Sequence, residues 1–319
     1  MGKSLAEYLT WVEARPGLIW PKPPTPVPLD ADPFIKPIPE IRAVSWCVYG
    51  TLLQIHDGRL HHLHPQVLRM QVALQKTIEE FHMWNSMSRK PGQPWEYMLQ
   101  QYSKLIDEAR LVSTKRKGDA PEIDSAKLWH KLIDRLLKNE YEFDHSIYGD
   151  VDDLALKVAY FFHAMLQGVS ATESAPAILQ RVTQAGLKQG LIDDGQAFTF
   201  IQLQHALQKL DPTTALGGLI NADLVAISYR FGIRKPSPSL YAVAAEQYRN
   251  AGIEPSHVLY VSHRLHDDLA IARKFGFRTA LYAGDEKVCQ VDASDLRDPE
   301  TKPDRLLTDL NQVAEVIGI

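Results

Sequence analysis

The sequence predicts an α/β protein: a doubly wound parallel sheet interrupted, after its first strand, by an all-helical domain. Three observations lead there. The apolar run "AVSWCVYGTLLQI" at 43–55 breaks at Gly50-Thr51, as a buried strand does when it ends in a sharp turn. For more than a hundred residues after it, apolar side chains recur only at helical spacing. From 172 onward helix and strand patterns alternate, and that texture specifies parallel strands, because parallel neighbours need crossover connections. The chain divides into an N-terminal helix and proline-rich arm (1–41), an α/β core (42–55 plus 170–319) and a helical insertion (56–169).

Each element has a local reason. "MGKSLAEYLTWVEA" carries helical periodicity. Residues 16–39 hold nine prolines, which remove backbone donors and force extended chain. Leu18, Ile19, Trp20, Phe34 and Ile35 are expected to staple this arm to the surface of its own domain. Strand one follows at 42–48. Val67, Met70, Leu74, Ile78, Phe81 and Trp84 then recur at threes and fours, as do Leu128, Leu132 and Leu136, and Leu154, Val158, Phe161 and Met165. With "PWEYMLQQYSKLIDEARLV" these stripes form a bundle of four or five helices. The core resumes as helix 172–185, strand "GLKQGLID", helix 198–209, strand "DLVAIS", helix 237–251, strand "HVLYVS", helix 265–275 and strand "RTALY".

Composition narrows the function. With 319 residues, 45% hydrophobic, the chain can bury a main core and a satellite. A net charge of -4 gives no concentrated basic face, so neither nucleic acid nor an acidic membrane is an expected partner; the run "STKRKGD" at 113–119 reads as a solvated loop. No stretch approaches 18 uninterrupted apolar residues, and the start lacks a signal-peptide core, so a soluble, cytoplasmic protein is expected. "MGKSLA" fits the acylation pattern poorly. Two cysteines, Cys47 and Cys289, suit a reducing compartment.

In such a sheet ligands bind at the carboxyl ends of the strands, and the residues closing each strand carry a resemblance. From about 42 onward the chain resembles the haloacid dehalogenase (HAD)-like hydrolase superfamily, capped subfamily, whose Rossmannoid core carries a helical cap after the first motif. The resemblance rests on four motifs in order. The family's Asp-x-Asp-Gly-Thr-Leu is matched by "WCVYGTLL", with Gly50, Thr51 and Leu52 in place but Cys47 at the nucleophile position and Tyr49 at the acid/base position. A strand ending in Ser or Thr is matched by "LIDDG", with Asp193 in the hydroxyl position. "RKPSPSLYAVA" supplies Lys235 as the phosphate-stabilising lysine. The family's Gly-Asp-x4-Asp stands as "VSHRLHDDLAIARKFGFRT", with His263 at the first acid and Asp268 at the second.

The resemblance therefore implies a degenerate active site. The family's chemistry is an aspartate attacking phosphorus or a halogenated carbon, and phosphoryl transfer there needs Mg2+, a hard ion that wants carboxylate oxygens. Cys47 and His263 offer softer atoms, so magnesium is not expected. An ionised Asp193 about 4 Å from a phosphate repels it by about 4 kcal/mol at an effective dielectric of 20. Each residue also has a quieter reading: Cys47 a small buried hydrophobe, Tyr49 a filler of the vacated pocket, Lys235 the partner of Asp193 or Asp268 in a structural ion pair. Two sharper readings stay open. Cys47, His263 and Asp268 form a zinc-type ligand set, and His263 could activate Cys47 as a nucleophile with Asp268 orienting the imidazole.

"HDGRLHHLH" places His56, His61, His62 and His64 in the connection to the cap, read as a flexible, solvated hinge. Asp152 and Asp153 suit a helix N-terminus, and Asp267 is expected to face solvent. The expected role is a binding, regulatory or scaffold protein whose partner is a small molecule or another protein. A hydrolase with repurposed residues, and a sensor whose cap closes on a ligand, are the alternatives.

Overall fold

The computed structural model describes residues 2–87, 92–112, 114, 116–289, 291–292 and 294–319. Its centre is a six-stranded sheet whose neighbouring strands all run parallel: β1 (Ala43–Trp46), β5 (Lys188–Asp193), β6 (Val225–Ile227), β8 (Val258–Ser262), β9 (Arg278–Tyr282) and β10 (Arg305–Leu307), in the order β10-β9-β8-β1-β5-β6. β1 lies between β5 and β8, with Ala43 opposite Lys188 on one side and Val258 on the other. Period-two geometry explains why its run is apolar throughout. Val44, Trp46 and Val48 enter the core beneath α7 (Ala175–Gln184), α8 (Thr199–Leu210) and α13 (Val313–Ile317), while Ala43 and Cys47 enter the opposite one, against α11 (Pro238–Asn250) and α12 (Ala270–Lys274). One-turn helices α9 (Leu216–Leu219) and α10 (Ser228–Phe231) flank β6.

The insertion is the expected bundle: α2 (Val67–Glu80), α3 (Pro94–Arg110), α4 (Ser125–Leu137), the short α5 (His145–Tyr148) and α6 (Val151–Leu166). Asp124 and Asp150 cap α4 and α6, with Asp152 and Asp153 in the first turn of α6 as expected. The α2 stripe ends sooner than its spacing suggests. His82 turns left-handed, and Trp84 sits on a separate short turn, 53% exposed. Of the run 113–119, Ser113 and Lys115 lie outside the described residues; Arg116, Lys117 and Gly118 are exposed.

Helix α1 (Leu5–Glu13) buries Leu5, Tyr8, Leu9 and Val12 in the core of the bundle, so it belongs to the cap. The proline arm then leaves the cap. Trp20 packs edge-on against Phe161 at 5.6 Å, and further along the backbone bonds to the core: Leu29 N to Ala283 O and Phe34 and Leu306 to each other at the sheet's far edge, then Ile38 N to Val316 O of α13. The expectation of a staple within one domain is corrected accordingly: the arm is a strap from cap to core. It runs there because prolines leave carbonyls free but few donors, and the outer β10 edge offers partners for those that remain.

Two small pairings join cap and core. β2 (Leu53–Ile55) pairs antiparallel with β4 (Val169–Ala171) at the connections. In the cap, β3 (Ala120–Pro121) pairs with β7 (Ile233–Arg234), immediately before Lys235. Gln196 of the core completes a latch beside them, accepting from Ser125 N at 2.8 Å and donating to Ile123 O at 2.9 Å.

The histidine tract is not a solvated hinge. His56, His61, His62 and His64 are all half-buried; Gln167 binds His61 N, His56 O and Arg59 O, and His62 Nδ1 lies 3.2 Å from Ser125 Oγ. The polar side chains pack because the crossing strands leave backbone groups that only such neighbours can satisfy. No helix among the described residues is long and apolar enough to cross a membrane.

Candidate functional site

The carboxyl edge of the sheet brings all seven sequence-singled residues together. Cys47 and Tyr49 continue from β1, Thr51 follows the turn, Asp193 ends β5, Lys235 follows β7, His263 follows β8, and Asp268 lies in the wide turn Leu265–Leu269 leading into α12. Gly50 makes the turn possible. Its φ is +80°, and a β-carbon there would stand 2.6 Å from His263 Nδ1, so the imidazole occupies space that only glycine leaves. Gly58, at φ +62°, closes over the other ring nitrogen in the same way.

At the centre is Lys235. Its Nζ donates to Asp268 Oδ2 at 2.7 Å and Asp193 Oδ1 at 3.3 Å, and reaches Cys47 Sγ at 3.4 Å. Asp268 is held on every side: Ser262 Oγ and the Tyr260 hydroxyl donate to Oδ2 at 2.6 and 3.0 Å, and the Tyr241 hydroxyl to Oδ1 at 3.2 Å. Asp193 accepts from the Cys47 thiol at 3.2 Å and from Tyr49 N at 3.1 Å. The Tyr49 ring turns away from this cluster, its hydroxyl donating to Gln202 Oε1 at 2.7 Å with Thr199 Oγ1 at 3.0 Å. Cys47, Tyr49, Asp193, Lys235, His263 and Asp268 are each no more than 3% exposed.

Burial and charge set the protonation states. Desolvation works against the Asp268 carboxylate, but Lys235 and Arg264 outweigh it and hold it well below the usual range. Lys235 is likewise buried, and its anionic neighbours, Asp268 foremost, raise it well above an ordinary lysine. Asp193 goes the other way, raised by burial despite Lys235. Lys235 and Asp268 are thus a pair whose charges hold each other in place. Burial and Asp193 push the Cys47 thiol well up, so it is protonated. Burial lowers His263 to about 3, leaving a neutral imidazole 4.0 Å from Cys47 Sγ and 3.4 Å from Thr51 Oγ1.

This donor set does not suit magnesium, which takes oxygen ligands in near-octahedral geometry: a thiol and an imidazole stand where the family has carboxylates, and a buried ammonium fills the gap between the remaining acids. The zinc set Cys47, His263 and Asp268 is also not assembled. Among the described residues no group of three His, Cys, Asp or Glu side chains is placed to hold a metal ion, and Asp268 directs its oxygens to Lys235, Ser262, Tyr260 and Tyr241.

Several contributors escaped the sequence reading. Asp194 accepts from Lys235 N at 2.7 Å, and Arg264 Nη1 lies 3.6 Å from Asp194 and 3.8 Å from Asp268. Asp267, expected to face solvent, is 49% exposed on its side chain and pairs with Arg264. Tyr241 and Tyr260 look like core aromatics in their strand and helix patterns, and only the fold turns their hydroxyls toward Asp268.

A parallel sheet with a helical cap over its carboxyl edge and a charged cluster closing the ends of β1, β5 and β8 defines a capped α/β protein. Comparison makes this specific. Residues 232–313 match the HAD-hydrolase-like family. The 2-haloacid dehalogenase from Pseudomonas syringae pv. Tomato DC3000 is 19% identical with a TM-score of 0.50, covering 87% of this chain and 98% of that one. The L-2-haloacid dehalogenase from Xanthobacter autotrophicus is 18% identical with a TM-score of 0.41, covering 86% and 96%. No curated protein matches the chain. Residues 232–313 thus carry the HAD-hydrolase-like family's pattern, and the chain as a whole has the fold of a 2-haloacid dehalogenase.

Proposed function

We propose that this protein is a catalytically silent member of the haloacid dehalogenase-like superfamily, acting as a binding, regulatory or scaffold protein. The observation that carries the reading is the buried triangle around Lys235 Nζ, 2.7 Å from Asp268, 3.3 Å from Asp193 and 3.4 Å from Cys47. There the lysine's charge is balanced from within, so neither a phosphate nor a cation is needed to complete the cluster, and inserting either means breaking a desolvated ion pair. The β3–β7 pairing, the Gln196 latch and the strap support the same conclusion, since they tie the cap over the cleft from three directions. A cytoplasmic site of action fits the reduced, buried state of Cys47 and Cys289.

The test is a panel of phosphate esters and 2-haloacids assayed with Mg2+, Mn2+ and Zn2+. No turnover above the uncatalysed rate is expected. Magnesium-dependent release of phosphate, or halide release, would overturn the proposal.

One contact favours a second reading, a repurposed hydrolase: Cys47 Sγ and His263 Nδ1 are side by side at 4.0 Å. The raised thiol and depressed imidazole weigh against a thiolate–imidazolium pair. If turnover is found, Cys47→Ser decides between the readings, because a thiol nucleophile cannot survive that change.

A further inference from the structure

Between two anchors the proline strap is held in place but barely bonded. Upstream, Trp20 lies against Phe161, and the backbone passes so close to Gly168 that a β-carbon there would stand 2.3 Å from Pro21 O. Downstream, Val27 O accepts from Glu286 N at 2.7 Å and Val27 N donates to Asp285 Oδ1 at 3.3 Å. Every residue from Trp20 to Pro28 is a proline or precedes one, which restricts each to extended backbone and dictates polyproline II geometry. Three residues per turn put Lys22, Thr25 and Pro28 along one edge, and all three are exposed. The next edge carries Pro23, exposed, and Pro26, half-buried; Pro21 and Pro24, both half-buried, share the third. From Lys22 to Pro26 no backbone group bonds to a described residue.

The ridge is flanked by open space. A cavity of about 490 Å³ separates it from Leu68 and Val72 of α2, which are 68% and 43% exposed. A second, of about 230 Å³, opens beside Trp20, Pro21 and Pro23 toward α8. Lys22 and Arg69 line the first, and neither is paired with a carboxylate among the described residues; Arg69 bonds instead to Gln66 Oε1 at 3.0 Å. We propose that residues 21–28 are a docking ligand for a partner domain that reads polyproline II through an aromatic-lined groove with a carboxylate at its rim. Pro23-Pro24-Thr25-Pro26 is a PxxP unit, the spacing such grooves take. The unbonded carbonyls of the ridge meet the indole and phenol donors of the groove. Both free cations lie at the Lys22 end, which places the partner's carboxylate there and sets the direction of the groove. Because the segment is tied to the fold at both ends, it loses little conformational freedom on binding. The inference rests on the scaffold half of the proposed function and names its partner class. It is scored by binding, so it stands or falls separately from the silence of the cleft.

The experiment is a titration of 15N-labelled SH3, WW and EVH1 domains with the unlabelled full chain. At least one domain is expected to show saturable shifts confined to its aromatic groove. Pro23→Ala combined with Pro26→Ala should abolish them, with Tm measured to show that the chain remains folded. Lys22→Glu keeps every proline and changes an exposed side chain. It should weaken binding roughly tenfold at low salt, and added salt should weaken the parent complex more than the variant's. Three results would each overturn the proposal: no saturable shift in any of the three domain classes, parent affinity retained in the double variant, or sedimentation showing that a second copy of the chain covers the strap.

Discussion

Lys235 Nζ and Asp268 Oδ2 stand 2.7 Å apart with both side chains essentially inaccessible to solvent. A pair so deeply buried is weak evidence of stabilisation relative to an apolar replacement, but removing one partner leaves the other charge uncompensated, at a cost of about 3–5 kcal/mol. Lys235→Met should therefore be strongly destabilised in urea unfolding. Adding Asp268→Asn should recover part of that loss, because the orphaned anion is removed. A Lys235→Met variant within about 1 kcal/mol of the parent protein would mean the pair is not what closes the cleft.

Gly50→Ala should cost about 2–6 kcal/mol, from two separable sources. A non-glycine residue at φ +80° is strained by about 1–3 kcal/mol, and its β-carbon would press into the His263 ring for about 1–3 kcal/mol more. Placing Gly50→Ala in a His263→Ala background should relieve only the second part. If the double variant regains all of the loss, the turn does not require glycine.

These details show what the sequence could and could not convey. The alternation after residue 172 and the ending of β1 ahead of the Gly50-Thr51 turn were legible because period-two burial and crossover connections leave one-dimensional traces. So was the gathering of Asp193, His263 and Asp268, since strand ends in a parallel sheet share one edge; Lys235 joins them from β7, which pairs with the cap and not with the sheet. Illegible was the direction of Tyr49, whose hydroxyl leaves the cluster for Gln202, because one turn's geometry decides it. The strap escaped for a different reason. Proline content announces extended chain but not its partner, and the bonds from Phe34 to Leu306 join residues with no local relation. The histidine tract misled because polar residues in a connection usually mean solvent, whereas here Gln167 and Ser125 give them buried partners.

Gln196→Ala should loosen the cap without unfolding the core. Its side chain serves Ser125 N and Ile123 O, and both are left unmatched on truncation, each worth about 1–3 kcal/mol. Hydrogen exchange should rise at 120–125 and remain unchanged in β1 and β8. Uniformly unchanged protection would indicate that the β3–β7 pairing and the strap hold the cap by themselves.

Leu9→Ala tests whether α1 is part of the cap core. Leu9 is fully buried there beside Tyr8 and Val12, and such truncations cost about 2–5 kcal/mol. Loss of that size in thermal or urea unfolding is expected; an effect below about 0.5 kcal/mol would mark α1 as a peripheral appendage.

His263 gives the cleft a dependence on pH whose sign can be worked out. An ordinary histidine titrates near 6.5, whereas burial holds this one to about 3 in the folded protein. The groups facing it are Asp268, which favours its charged form, Arg264 and Lys235, which oppose it, and the uncharged Cys47 and Thr51. Between these two values the unfolded chain takes up a proton that the folded protein refuses. The contribution is therefore intact above pH 6.5 and lost progressively as pH falls toward 3. Relative to His263→Gln, which has no titrating ring, the parent protein should lose about 3 kcal/mol of stability between pH 7 and pH 4. Asp193, raised by burial, is common to both proteins and drops out of the comparison. Paired urea titrations across that range measure the difference, and the His263 ring-proton signal should show no midpoint above pH 4. A midpoint near 6.5 would mean that water reaches the imidazole, and the picture of a cleft sealed around Lys235 would fail with it.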